Sequence, residues 1–360
     1  MKALDESEMK PMAGQSALDS GSAAAATQHE SPRPSPASVA VACRRLLVPM
    51  DLSIASFRVL PYAVRLAEQS GGMIYLMHVV DPGSFVNDLH NVPLVCSREE
   101  VISFATKLLS RLASHELPPA RRGEILVSVG NPVREIAETA TGLNVDLIVM
   151  STHGYTRLKH LLLPSIAERV VRQRPCPVFT IREDLLTPDG NDSECLASVE
   201  WKNILVPVDF TEASRQALQY AVAIAGETKA KIILFHAVNF LQEVKETRPE
   251  RSLGVIDLSR VRDELRQMVE HQLEAWAKGE IPRSIEYEKS VQVDAPAADV
   301  IGQAAKRLAS DLIVMGNHHY SWWKHLGQAD TAERVVRTAP CPVLSVPEVA
   351  TSGGATPEHR

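Results

Sequence analysis

The chain has 360 residues, of which 45% are hydrophobic, 23% are charged and 5% are aromatic, and its formal net charge is −6. This composition is typical of a globular protein with an aliphatic core, and it excludes fibrous and collagen-like chains. The negative charge argues against nucleic acid and anionic membranes as partners, and no apolar run reaches the roughly 20 residues that a membrane-spanning helix needs.

In chain order, residues 1–43 come first and are rich in Ser, Ala, Pro and Gly. We predict a disordered tail there, because such a segment cannot bury enough apolar surface to offset its ordering entropy. Short apolar runs then alternate with amphipathic segments over 44–182, the predicted first domain. A polar linker is expected over 183–201, the second domain over 202–347 and a C-terminal tail over 348–360.

Each domain is predicted to contain five strands and four helices. The first-domain strands are expected at about 45–50, 73–80, 124–129, 146–151 and 177–181, with helices at about 53–69, 97–115, 132–141 and 165–173. The second-domain strands are expected at about 203–208, 230–238, 286–293, 311–315 and 342–346, with helices at about 212–227, 256–277, 296–309 and 330–338. Because the strand runs are apolar at successive residues, helices should cover both faces of a doubly wound parallel sheet.

The two domains repeat the same sequence pattern. Residues 46–51 (LLVPMD) return 158 positions later as 204–209 (ILVPVD), and His78 returns as His236 at the same displacement. The fourth-strand motif DLIVM and the later motifs AERVVR and PCPV return 165 positions later. Runs of this length in the same order are not accidental, so the chain is a tandem repeat.

These motifs together resemble the universal stress protein family, and the resemblance covers both domains. It implies two Rossmann-like domains of the adenine nucleotide alpha hydrolase type, each a five-stranded parallel sheet with strand order 3-2-1-4-5. It also implies a stress-associated regulatory role in the cytoplasm and pairing of the two domains through their last strands. A homodimer and an unidentified regulatory protein are further expected partners.

Ligands of such sheets lie outside the carboxyl ends of the strands, where the strand order reverses. One branch of the family binds ATP there through G-x-x-G, nine residues and G-[ST]. Glycines let the backbone approach phosphate, and the following helix adds free N–H groups. The corresponding residues of the first domain are Ser151, Gly154, Pro164 and Ser165. Those of the second domain are Gly316, His319, Ala329 and Asp330.

Weak ATP binding is therefore expected in the first domain only, because Pro164 lacks an N–H and Asp330 would repel a phosphate. The resemblance adds residues that would contact the base and ribose. The candidate residues of the first domain are Pro49, Met50, Asp51, Val79, Ser151, His153, Gly154, Pro164 and Ser165. Those of the second domain are Asp209 and Gly316.

Helix capping is the alternative for several of these residues. Asp51 and Asp209 each precede a helix and could cap it. Ser165 begins an S-x-x-E capping box, which accounts for it without a ligand.

Catalytic residues are not predicted, since no nucleophile–base pair or acid–base dyad emerges. The loop histidines lack metal-ligand spacing, so no metal is predicted. The five cysteines are never spaced C-x-x-C and no apolar stretch opens the chain, so we expect reduced thiols and no secretory signal. The alternatives to a regulatory protein are a slow ATPase or autophosphorylating protein that uses the first domain, and an interaction scaffold without a small ligand.

Overall fold

The computed structural model of the protein describes residues 43–82, 97–152, 164–186, 201–238, 258–293, 297–318 and 331–348. The first domain contains β1 (Arg45–Pro49), α1 (Ile54–Arg58), α2 (Leu60–Ser70), β2 (Met73–Val80), α3 (Arg98–Glu116), β3 (Arg122–Val129), α4 (Pro132–Gly142), β4 (Leu147–Thr152), α5 (Ile166–Gln173) and β5 (Val178–Arg182). The second contains β6 (Asn203–Pro207), α6 (Glu212–Thr228), β7 (Lys231–Val238), α7 (Leu258–Glu280), β8 (Tyr287–Val293), α8 (Ala297–Arg307), β9 (Leu312–Asn317), α9 (Thr331–Thr338) and β10 (Val343–Pro347). The predicted tails lie outside these residues except for Cys43 and Glu348.

The ten strands form one sheet in the order β3-β2-β1-β4-β5-β10-β9-β6-β7-β8. Within each domain the strands are parallel and follow the predicted order 3-2-1-4-5, which is confirmed. The last strands β5 and β10 pair antiparallel, with Leu344 opposite Phe179. This contact also confirms the predicted pairing of the domains, and it joins the two sheets into one because each last strand covers the free edge of the other.

The predicted strands and helices agree with the observed ones to within three residues at their ends, with one exception. The single helix predicted over 53–69 is wrong, because α1 ends at Arg58, Val59 lies between the helices, and α2 starts at Leu60. Pro61 lies in the first turn of α2, where a residue without an N–H is tolerated, whereas it would interrupt a continuous helix. The equivalent helix α6 of the second domain has Gln219 at that position and is unbroken.

Helices cover both faces of the sheet, as the apolar strand runs predict. Buried residues of α2, α3, α6 and α7 form one core layer with the strands, and those of α4, α5, α8 and α9 form the other. Both layers run through the two domains without a break. Leu47 and Leu205, at equivalent places in β1 and β6, are completely buried in the same layer. None of the helices in the described part of the chain combines the length and the apolar character that crossing a bilayer requires.

Two ion pairs cross between the domains in equivalent positions. Arg172 of α5 binds Glu333 of α9, and Arg337 of α9 binds Glu168 of α5. Both carboxylates are almost fully buried, with Glu168 3% exposed and Glu333 1% exposed. A buried carboxylate needs such a partner, so these pairs tie the orientation of α5 to that of α9.

Candidate functional site

The strand order reverses between β1 and β4 in the first domain, which defines the first-domain crevice at their carboxyl ends. Pro49 closes β1, and Met50 and Asp51 come directly after it. Ser151 is the next-to-last residue of β4. The half-buried Val79 is the next-to-last residue of β2, which lies beside β1. The structure therefore brings these five candidate residues to the same edge of the sheet. The second-domain crevice is the equivalent place at the ends of β6 and β9.

A histidine fixes the end of the first strand in each domain. The Nδ1 atom of His78 lies 2.7 Å from the carbonyl oxygen of Met50, and Nδ1 of His236 lies 2.6 Å from that of Val208. A carbonyl can only accept a hydrogen bond, so Nδ1 carries the proton in both rings. The repeated histidine therefore positions the main chain that leads into each crevice, a role that the sequence pattern alone did not reveal.

Asp51 stabilises the turn that leads from β1 into α1. Its Oδ1 accepts a hydrogen bond of 2.9 Å from the backbone N–H of Ser53, and Ser53 Oγ in turn accepts one from the N–H of Ser56. Ser53 is thus the residue that caps the helix. The intervening Leu52 has a left-handed φ of 63°, which costs a non-glycine residue about 1–2 kcal/mol. The turn keeps the exposed carboxylate of Asp51 at the crevice.

Asp209, the equivalent residue of the second domain, is engaged by several donors. Its Oδ2 lies 2.7 Å from Nε2 of His318, and its Oδ1 accepts hydrogen bonds from the N–H and Oγ1 of Thr211 at 3.1 and 2.6 Å. Burial raises the pKa of the Asp209 carboxyl, but hydrogen bonds from His318, Thr211 and Ser214 lower the pKa by more, so that it lies well below its usual range. The contact between Asp209 and His318 joins the ends of β6 and β9 across the second-domain crevice.

An arginine of the first domain supports this contact. Arg174, which ends α5 with a left-handed φ of 54°, donates from Nη2 to the carbonyl oxygen of His318 at 2.9 Å and from Nε to Oδ1 of Asn317 at 2.7 Å. Asn317 is 3% exposed and donates from Nδ2 to the carbonyl oxygen of Val171 at 2.7 Å. The end of β9 is therefore held in place by the first domain.

The first domain does not repeat the two residues that give this support. At the displacement of 165 residues, Thr152 stands where the second domain has Asn317, and Ala339 stands where the first has Arg174. Ala339 has no side chain that could reach across. Thr152 is 2% exposed, and its Oγ1 has no hydrogen-bond partner among the described residues. The two crevices are thus built differently although the strands around them are equivalent.

The start of α5 is the next described part of the chain after β4. Ser165 Oγ accepts a hydrogen bond of 3.2 Å from the N–H of Glu168, and the N–H of Ser165 donates to Glu168 Oε1 at 3.4 Å. The predicted capping box is therefore present. Pro164 precedes it and has no N–H to offer. The Asp330 box that the sequence suggests for α9 lies outside the described residues.

Close packing accounts for Gly316 of the second domain. A Cβ atom placed on Gly316 would lie 2.5 Å from the carbonyl carbon of Ala213 and 2.6 Å from the backbone nitrogen of Ser214. The main chain of α6 thus packs directly onto β9, which only glycine permits. The first domain has Ser151 at this position, next to the interrupted helices α1 and α2.

Several residues that the sequence analysis names lie outside the described ranges. They are His153 and Gly154 of the first domain and His319, Ala329 and Asp330 of the second. Within the described ranges, no group of three or more His, Cys, Asp or Glu side chains is arranged to hold a metal ion.

Comparisons with known proteins identify the family. A sequence model described as the universal stress protein family matches residues 42–182 and again residues 200–347. The chain belongs to the universal stress protein family. A universal stress protein of Methanocaldococcus jannaschii is 31% identical over 147 residues, which is 39% of this chain and 82% of that protein. One of Bacillus subtilis is 28% identical over 145 residues, which is 38% of this chain and 98% of that protein.

Among solved structures, the tandem arrangement has a counterpart. A universal stress protein from Archaeoglobus fulgidus matches with a TM-score of 0.58, covering 85% of this chain and 99% of that one at 21% identity. At this identity the match shows the fold alone. It places both universal stress protein domains of the chain within a shared architecture.

Sequence reasoning missed the residues that make the two universal stress protein domains unequal. Arg174 and Asn317 carry no recognised motif, and their contact depends on how the domains pack. Aligning the two copies at 165 residues does give a signal, because Arg174 stands against Ala339 and Asn317 against Thr152, so that one copy has the longer polar side chain in each pair.

Proposed function

We propose that this universal stress protein is a regulatory protein that binds an adenine nucleotide in the first-domain crevice and not in the second. The observation that carries the proposal is the support that Arg174 and Asn317 give to the end of β9, beside the contact of 2.7 Å between Asp209 and His318. The first-domain equivalent of His318 is His153, which lies outside the described residues. The first domain has Thr152 at the position of Asn317 and Ala339 in the place equivalent to Arg174, so this support is not repeated there.

The residues of the first-domain crevice suit the parts of a nucleotide. Asp51 is exposed at the end of β1 and can accept hydrogen bonds from an adenine amino group or a ribose hydroxyl. The main chain of Pro49 and Met50 and the half-buried side chain of Val79 offer a flat apolar contact for the base. The phosphates would lie toward Ser165, with His153 and Gly154 as further proposed contacts.

The start of α5 can accommodate a phosphate, but with few donors. The hydrogen bond of 3.4 Å from the N–H of Ser165 to Glu168 is long, so a phosphate oxygen can compete for this donor. Pro164 removes a second donor. One hydrogen bond to a charged group contributes about 1.5–3 kcal/mol, so its loss weakens binding by roughly 10- to 100-fold. We therefore expect weak binding that responds to millimolar ATP.

Isothermal titration calorimetry with ATP tests the proposal on the full chain. We compare the wild type with Asp51→Asn and with the matched second-domain change Asp209→Asn. We expect weak binding by the wild type, a loss of about tenfold in Asp51→Asn because an acceptor of the base or ribose is removed, and little change in Asp209→Asn.

Two outcomes contradict the proposal. Loss of ATP binding in Asp209→Asn with none in Asp51→Asn would assign the nucleotide to the second domain. No heat with any variant at millimolar ATP would favour the ligand-free scaffold. Phosphate release measured on the same samples distinguishes a slow ATPase from a protein that only binds ATP. No contact among the described residues favours the ATPase.

A further inference from the structure

A cleft of about 620 Å³ lies at the outer edge of the second domain, two strands beyond β6, where the strand order reverses. Its floor is the last part of β8, which is an edge strand, from Ser290 to Val293. Helix α7 forms one wall and contributes Arg262, Asp263 and Arg266. Helix α8, on the opposite face of the sheet, contributes Arg307.

Two of the three arginines are held in place by β8. Arg266 Nη2 donates to the carbonyl oxygen of Val291 at 3.3 Å, and Arg307 Nη1 donates to Oε1 of Gln292 at 3.4 Å. Glu270, one turn further along α7, also lies 3.5 Å from Nε of Arg266. The two guanidinium groups therefore reach the same short stretch of strand from opposite faces of the sheet.

The fold does not require these arginines. The buried Leu109 and Ala113 of α3 correspond to Leu273 and Ala277 of α7. This alignment places Ile102 at the position of Arg266. In the same way, Gly142 is the last residue of α4, and it holds the position that Arg307 has at the end of α8. The first domain builds the same strand and helices without the charges of Arg266 and Arg307, although Arg98 corresponds to Arg262. Their convergence thus belongs to the second domain specifically.

We propose that this cleft binds a small polyvalent oxyanion that carries at least two phosphate or carboxylate groups. Guanidinium groups bind such groups through paired hydrogen bonds, and clefts of this volume suit a small molecule. An added β-strand is a poorer occupant, because the carbonyl oxygen of Val291 already accepts from Arg266. Asp263 is the single carboxylate among the lining residues, which include three arginines, and Glu270 lies beside Arg266 outside the lining. This inference is independent of the nucleotide proposed for the first domain.

The test is a calorimetric titration of the full chain with inorganic tripolyphosphate at low salt. The double variant Arg266→Gln with Arg307→Gln should lose at least about tenfold in affinity, since two charged donors are removed. Asp263→Asn should bind about two- to fivefold more tightly, since it removes a repulsive charge. The matched control is Arg260→Gln, an exposed arginine of the same helix that pairs with Glu264 and lies outside the cleft, and it should bind as the wild type does.

The signs of these three changes separate the explanations. Equal losses in Arg260→Gln and in the double variant would show attraction to general surface charge and overturn the proposal. So would the absence of binding by the wild type, or binding of a polyglutamate peptide without binding of tripolyphosphate. Full retention of the affinity for tripolyphosphate in the double variant would place the anion elsewhere, including the first-domain crevice, and would overturn the proposal.

Discussion

Single side chains decide how the two crevices differ. Asp51 and Asp209 hold the same position and precede equally strained residues, Leu52 and Phe210, with φ of 63° and 62°. In the second domain, His318, which directly follows β9, contacts that carboxylate, and its first-domain equivalent His153 lies outside the described residues. The backbone around His318 is in turn fixed by Arg174 from the other domain.

Replacing Arg174 with alanine should lower the free energy of unfolding by about 1–3 kcal/mol, because the buried Oδ1 of Asn317 then loses its donor. The control is Arg169→Ala on the same helix, an exposed residue that should change the free energy by no more than about 0.5 kcal/mol. Urea denaturation of both variants measures the difference. Equal values for the two would show that the contact between Arg174 and Asn317 does not stabilise the fold.

The contact at Asp209 should make stability depend on pH. Hydrogen bonds hold the pKa of the folded carboxyl well below the value of about 3.9 that it has in an unfolded chain. Its stabilising contribution is therefore fully present above about pH 4 and is lost as the pH falls through the folded pKa. Asp209→Asn should melt at a lower temperature than the wild type at about pH 7, and this gap should narrow toward about pH 3. A constant gap across this range would rule out the lowered pKa.

At the scale of elements, the first helix of each domain packs on the fourth strand in a different way. In the second domain, α6 is continuous and its backbone lies against Gly316 of β9. In the first domain, Ser151 replaces the glycine and the helix is divided into α1 and α2. A side chain at position 316 would collide with the backbone of Ala213 and Ser214 at the start of α6.

Exchanging these residues should have unequal effects. Gly316→Ser forces atoms into a space that backbone already fills, so it should destabilise the chain by about 1–3 kcal/mol. Ser151→Gly removes a side chain without a clash and should cost about 1 kcal/mol or less, the usual penalty of a glycine in a strand. Chemical denaturation of the two variants gives both values. If Gly316→Ser were as well tolerated as Ser151→Gly, the close approach of α6 would be contradicted.

Most elements could be predicted because strands buried on both faces are apolar at successive residues, as in Leu147 to Met150. The division of the helix at Val59 was missed, although Pro61 indicates it, since a proline is also tolerated near a helix start. The candidate residues at the ends of β1, β2 and β4 followed from parallel topology. Arg174 could not be predicted, because its partners are fixed only when the two domains have packed together.

At the scale of the whole molecule, the domains share one sheet and two continuous core layers. The antiparallel pairing of β5 with β10 and the buried carboxylates of Glu168 and Glu333 lie at the junction. Phe179 of β5 also packs edge-on against Trp201, at the start of the second domain, with ring centroids 6.1 Å apart. These contacts indicate that the chain unfolds as one unit.

Removing one arginine of the junction should destabilise this unit strongly. Arg337→Ala leaves the carboxylate of Glu168 buried without its ion-pair partner, which should cost about 3 kcal/mol. This value is the lower end of the range for broken buried pairs, because Arg337 is partly exposed. Arg334→Ala, on the same helix, breaks an exposed pair with Asp299 and should cost less than about 1 kcal/mol. Thermal denaturation of both variants distinguishes them, and similar melting temperatures would contradict the role of the junction.

The inequality of the two crevices is tested most directly by a crystal structure of the full chain grown with millimolar ATP. We expect nucleotide density at the ends of β1 and β4, with the base near Asp51 and Val79 and the phosphates toward Ser165. The second-domain crevice should keep the contact between Asp209 and His318. Nucleotide at the ends of β6 and β9, with His318 displaced from Asp209, would contradict this account.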